Sequence, residues 1–175
     1  MFQIKICGIT SRKDAEAAAN AGADAIGLNF FASSPRCVSP VAAAEIAESV
    51  RGQVSIVGVF VNHSIEQIRA AAESVKLDYV QLHGDEPIEM LSALCNLRVI
   101  RAFRCMHGGL EPVIDSVSQV ENLGYKLSGV LIDAHEPGRY GGTGQTVDWH
   151  AVHGARKQLG GIPIVLAGHD CGAAA

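Results

Sequence analysis

The chain has no apolar run approaching the roughly 18 residues needed to cross a bilayer, which argues against a membrane-spanning protein. It has no excess of positive charge: 14 Lys and Arg stand against 18 Asp and Glu, a net charge of −4. A general nucleic-acid binder would usually be basic, so no nucleic-acid partner is expected. Aromatic residues are scarce, at 5%. The five cysteines form no close CxxC pair, which fits reduced thiols better than a disulfide framework. The opening MFQIKICGITSRKD lacks a charged-then-apolar signal layout, since Lys5 interrupts its short apolar stretch. A cytoplasmic location is the expectation. There is no linker, charge block or low-complexity tract. What is present is a 48% hydrophobic composition over 175 residues, enough for a real core in one domain.

Two kinds of segment alternate. Seven are short, apolar and nearly continuous: 3–8, 24–30, 54–61, 78–84, 98–103, 128–134 and 162–168. Such runs read as parallel strands buried on both faces. Between them lie amphipathic stretches at 12–20, 40–50, 65–75, 86–94, 110–122 and 149–159. Their ends carry the right residues. Ser39-Pro40 offers an N-cap before a proline, and Ser64 with Gln67 forms a capping box. Asp85 is expected to cap the fourth helix, and Gly22 and Gly52 to close the first two.

Strand–helix alternation of this kind is a βαβ series, either an open doubly wound sheet or a β/α barrel. The dinucleotide fingerprint is absent, because Cys7-Gly8-Ile9-Thr10 follows the first strand instead of GxGxxG. A barrel needs an eighth strand and usually about 250 residues.

In such folds chemistry sits at the carboxyl ends of the strands. Those ends carry Cys7, Asn29, Asn62, His83, Arg101 with Arg104, and Asp133. Cys37, Cys95 and Cys105 read as small core hydrophobes. His83 is either a structural imidazole or a ligand contact. Asp133, after an apolar run, would be costly to bury without a partner. Arg36, in Ser33-Ser34-Pro35-Arg36, can grip a carboxylate or phosphate through two parallel hydrogen bonds, or it is a solvated surface residue. The glycine-rich stretch 138–146 matches no P-loop and has the length of an active-site loop or a flexible connector.

Four motifs occur in order: KICGIT at 5–10, Ser34-Pro35-Arg36 followed by Val38-Ser39-Pro40, Gln81-Leu82-His83-Gly84-Asp85-Glu86, and Gly141-Gly142-Thr143-Gly144 followed by Asp148-Trp149. Over residues 2 to about 168 the chain resembles the phosphoribosylanthranilate isomerases of tryptophan biosynthesis. The resemblance implies a (β/α)8 TIM-barrel fold, here incomplete with seven of eight strands. It implies an Amadori rearrangement of N-(5-phosphoribosyl)anthranilate, a small phosphosugar, with no metal or organic cofactor. Asp133 would be the general acid and Cys7 the general base. An acid of this kind must hold a proton near neutrality, which burial favours, and a cysteine acts as a base only as thiolate. Arg36 would hold the anthranilate carboxylate. His83, Gly141, Gly142, Gly144 and Gly168 would line the substrate site, the last near the phosphate.

The resemblance stops after Gly168. Residues 1–168 are expected to form one β/α domain lacking its last units, with 169–175 a tail outside the family pattern, as a truncated or frameshifted frame would give. A non-catalytic or weakly active truncated barrel fragment needing complementation is the alternative reading. A metal site using His150, His153, His169, Asp170 and Cys171 is a third, though no second ligand pair has zinc-finger spacing. Another phosphosugar barrel enzyme is a fourth, against which the pairing of Cys7 with Asp133 argues.

Overall fold

A computed structural model of the chain describes residues 2–104, 110–133 and 158–167. It divides into two compact units, 1–100 and 101–175. Seven strands follow one another in sheet order as they do in the chain.

The first unit alternates β1 (Lys5–Cys7), α1 (Arg12–Asn20), β2 (Ala25–Asn29), α2 (Pro40–Ser49), β3 (Ser55–Phe60), α3 (Ile65–Val75), β4 (Tyr79–Leu82) and α4 (Met90–Ala93), and β5 (Val99–Arg104) begins within it. The caps predicted for the first three helices form. The Ser39 hydroxyl accepts from the Ala42 N–H at 3.2 Å, and Pro40 opens α2. Ser64 and Gln67 close their box with bonds of 3.3 and 2.9 Å. Each such cap is worth roughly 1 kcal/mol. Gly22 and Gly52 leave their helices at φ +89 and +80, angles that suit glycine.

Strands β1 to β4 pair in parallel. Paired residues share a face of a sheet. Ile26 pairs with Ile56, Gly58 with Val80, and Phe60 with Leu82, and Ile26, Ile56, Val80, Phe60 and Leu82 are buried, while Ile6 at the β1 end of this face is exposed. Helix α1 packs on β2 and α3 on β3, with Ala15, Ala18, Ile68, Ala71 and Val75 among their buried residues. The opposite face carries the row Cys7, Gly27, Val57, Tyr79 and above it Asn29, Val59, Gln81. Polar side chains are concentrated on this second face.

The fourth helix departs from expectation. Instead of running over 86–94 from an Asp85 cap, it is the single turn Met90–Ala93, and its N-cap position is Glu89. Ahead of it the chain closes i→i−3 turns, with the Met90, Leu91 and Ser92 N–H groups donating to the Pro87, Ile88 and Glu89 carbonyls, and the buried Glu86 carboxylate accepts from the Asn62 and Gly84 N–H groups.

The second unit holds the end of β5, α5 (Glu111–Asn122), β6 (Gly129–Asp133) and β7 (Ile164–Ala167). Strands β6 and β7 pair in parallel, with Asp133 opposite Ala167. Val113, Val117 and Val120 form the buried stripe of α5. Most of the predicted helix at 149–159 lies outside the described residues. No helix among those described is long and apolar enough to cross a membrane.

Candidate active site

Cys7 is the last residue of β1, a free and exposed thiol. Its sulfur lies over Gly27 on the neighbouring strand, 2.8 Å from where a Cβ on that glycine would stand. The Lys5 Nζ lies 3.1 Å from the same point. Strand alternation explains this: residues 5 and 7 point to one face, and Gly27 leaves the floor beneath them open. An ammonium and a thiol therefore share one niche.

Arg36 reaches this place from the loop after β2. The loop is built on Asn29, whose Nδ2 donates to the Ser34 hydroxyl at 3.1 Å and whose Oδ1 accepts from the Phe31 N–H at 2.9 Å. Ser34 Oγ in turn accepts from the Arg36 N–H at 3.2 Å. The Arg36 Nη1 then donates to the Cys7 carbonyl oxygen at 3.0 Å. Between them Gly8, at φ +84, lets the guanidinium lie on the backbone: a Cβ there would stand 2.6 Å from Arg36 Cδ and Nη1. The remaining guanidinium donors are carried on an exposed side chain.

His83 follows β4. Its N–H donates to the Phe60 carbonyl at 2.8 Å, and its Nδ1 lies 2.8 Å from the Gln81 side-chain nitrogen. The turn beyond it is fastened by Glu86, which is 3% exposed. Its carboxylate accepts from the Asn62 N–H at 2.8 Å and the Gly84 N–H at 3.0 Å. Asn62, at φ 54, returns the link by accepting from the Asp85 N–H at 2.8 Å. Asn62 thus holds a turn together in this structure.

Asp133 ends β6, half-buried, in the second unit. The structure brings Cys7 and Arg36 together and sets His83 on the polar face of the same unit; Asp133 stands at the carboxyl end of its own strand pair. Gly141, Gly142, Gly144 and Gly168 lie outside the described residues, as do Cys105 and the residues of the metal reading, His150, His153, His169, Asp170 and Cys171. No cluster of three metal-binding side chains occurs among the described residues. Cys37 and Cys95 correct the expectation of core cysteines: both are exposed, one in the loop after β2 and one after α4. Lys5, Gln81 and Glu86 were not singled out from sequence. The signal for the first two was there, a polar residue two places before Cys7 and before His83 in otherwise apolar strands.

Residues 4–169 match the family described as N-(5'phosphoribosyl)anthranilate (PRA) isomerase. A curated relative, the N-(5'-phosphoribosyl)anthranilate isomerase of Geotalea uraniireducens, is 44% identical over 168 residues, 96% of this chain and 77% of its own length. The chain belongs to the PRA isomerase family. The crystal structure of phosphoribosyl anthranilate isomerase from Thermotoga maritima superposes with a TM-score of 0.81 at 35% identity, covering 97% of this chain and 78% of that one. A PRA isomerase crystallised with reduced 1-(o-carboxyphenylamino)-1-deoxyribulose 5-phosphate superposes at 0.66, with 28% identity over 96% of this chain and 87% of its own. The seven-stranded βα order is that of the family's TIM-barrel-like fold.

Proposed function

We propose that the chain is a PRA isomerase acting in tryptophan biosynthesis, with Asp133 as general acid and Cys7 as general base. The substrate is N-(5-phosphoribosyl)anthranilate. Asp133 delivers its proton to the ring oxygen; the bond from that oxygen to C1 breaks, and the anthranilate nitrogen supplies the electron pair that makes an iminium at C1. The Cys7 thiolate then takes the proton from C2. The C–H electron pair becomes the C1–C2 double bond, and the iminium pair returns to nitrogen. The resulting enol-amine tautomerises to the 1-amino-1-deoxyribulose phosphate. Atoms and charge balance without a cofactor, and a positioned acid or base contributes about 10²–10⁴-fold.

The observation that carries the reading is the contact between Arg36 and Cys7. A guanidinium held on the backbone of the thiol residue sets a carboxylate-binding group next to the base. That spacing suits a substrate whose anthranilate carboxylate lies near the sugar carbon to be deprotonated. His83 supplies a further contact to the substrate, and Gly141, Gly142, Gly144 and Gly168 line the same site in this reading. The relative crystallised with a ribulose phosphate compound supports a small phosphosugar as ligand. One β/α domain over residues 1–168, with 169–175 outside the family pattern, is part of the proposal, and the family match over 4–169 supports it. So is a cytoplasmic location, which the free thiols of Cys7, Cys37 and Cys95 support.

The test is turnover of phosphoribosylanthranilate by the purified chain. Cys7→Ala and Asp133→Asn are each expected to lower kcat by about 10²–10⁴-fold. Turnover that survives both substitutions would dismiss this assignment of acid and base.

A further inference from the structure

We propose that Gln81 is a positioning residue: its side-chain amide donates to Nδ1 of His83 and holds the imidazole in the Nε2–H form, so that the ring meets the phosphosugar as a hydrogen-bond donor. The inference rests on the reading of His83 as a substrate-binding residue.

Gln81 and His83 are two apart at the end of β4 and share the polar face that also bears Cys7. The Gln81 nitrogen lies 2.8 Å from Nδ1. Gln81 itself is 1% exposed, far more buried than its residue type ordinarily is. The ring is carried on fixed backbone. The His83 N–H is bonded to the Phe60 carbonyl, and the Gly84 N–H to the buried Glu86 carboxylate.

A neutral imidazole has one donor and one acceptor nitrogen, and the hydrogen bond at one decides the proton at the other. An amide N–H facing Nδ1 makes Nδ1 the acceptor and places the proton on Nε2. The opposite amide orientation would put the oxygen against Nδ1. It would also put both amide hydrogens where Gln81 Oε1 now stands, a position with no hydrogen-bond partner among the described residues. Buried carbonyls are left short of partners more readily than buried N–H groups, so the recorded orientation is the favoured one. A buried amide with an unpartnered oxygen, where an apolar side chain would pack without cost, is explained by what it does to its neighbour.

The experiment is NMR of the full chain labelled with ¹⁵N-histidine, with the ring assigned by its loss in His83→Asn. The wild-type ring is expected to be protonated at Nε2 and not at Nδ1. In Gln81→Leu it becomes a mixture of both forms. KM for phosphoribosylanthranilate rises about tenfold, the equivalent of one hydrogen bond, with kcat within threefold. Gln81→Glu, which puts an acceptor against Nδ1, moves the proton there. A wild-type ring protonated at Nδ1 overturns the proposal, and so does a folded Gln81→Leu whose ring is unchanged. The wild-type spectrum decides the question even if Gln81→Leu fails to fold. A changed tautomer with unchanged KM upholds the role of Gln81 and instead removes His83 from substrate contact.

Discussion

The guanidinium of Arg36 is hydrogen-bonded to the carbonyl oxygen of Cys7 at 3.0 Å and lies flat against Gly8. The contact joins the loop after β2 to the end of β1. It does so through main chain on one side, which makes the glycine at position 8 as important to the site as either charged or nucleophilic group.

Gly8→Ala is therefore expected to act twice. A methyl group would stand 2.6 Å from Arg36 Cδ, and the φ of +84 is one that L-residues resist. The backbone strain costs about 1–2 kcal/mol, read as a lower midpoint in urea unfolding. Displacement of Arg36 raises KM for phosphoribosylanthranilate by about tenfold or more, equal to one or two charge-assisted hydrogen bonds. Arg36→Lys reproduces the KM effect without the loss of stability, because an ammonium cannot make the paired contact.

Gly27→Ala leaves the fold of β2 intact but crowds the niche. The added carbon would lie 2.8 Å from the Cys7 sulfur and 3.1 Å from the Lys5 Nζ. If Cys7 is the base, as proposed, its displacement by the order of 1 Å costs about 10²-fold in rate. The expected outcome is a fall in kcat with little change in KM, measured in steady state.

Glu86→Leu removes the acceptor of the Asn62 and Gly84 N–H groups. Bonds to a charged acceptor contribute about 1.5–3 kcal/mol each, so a loss of about 3 kcal/mol is expected on urea unfolding. Glu89→Ala, three residues on and exposed, serves as the control and should stay within about 0.5 kcal/mol of wild type.

Acid sensitivity has an identifiable contributor in Asp24. The N–H groups of Ile4 and Gln3 both donate to its carboxylate at 2.8 Å and hold its pKa below the ordinary 3.8. A depressed carboxylate stabilises the fold above its unfolded value and loses that contribution as pH falls through the folded one. Asp24→Asn should therefore unfold at a lower temperature than wild type at pH 6. The gap should narrow once the pH drops below 3.8 and close in stronger acid, as a series of thermal unfolding curves would record.

Much of the first unit was legible because its signals are local. Ser39-Pro40, Ser64 with Gln67, and Gly22 act within a few residues, and the helices they bound begin and end where expected. The strands could be read from apolar runs for the same reason. Helix α4 could not. Glu86, which the pattern places in its first turn, instead bonds to Asn62, 24 residues away in the chain, and no pattern within 86–94 records that partner. The site divides in the same way. Cys7, Arg36, His83 and Asp133 were visible as polar residues at strand ends or in a loop. That Lys5 and Cys7 share a niche over Gly27 depends on the pairing of β1 with β2, which becomes visible only with the register. Cys37 and Cys95 were misread because a cysteine's burial is set by its surroundings and not by its own chemistry.

The tether from the loop to β1 ends on a carbonyl, and every amino acid has one. Position 7 can consequently change identity without loosening the grip of Arg36. On the proposed roles, carboxylate binding by Arg36 and proton abstraction by Cys7 are separable inheritances in this scaffold. A descendant could exchange its thiol for an acid, an imidazole or an inert methyl while still seating an aromatic acid in the same pose, a starting point from which new reactions on related ligands can be selected.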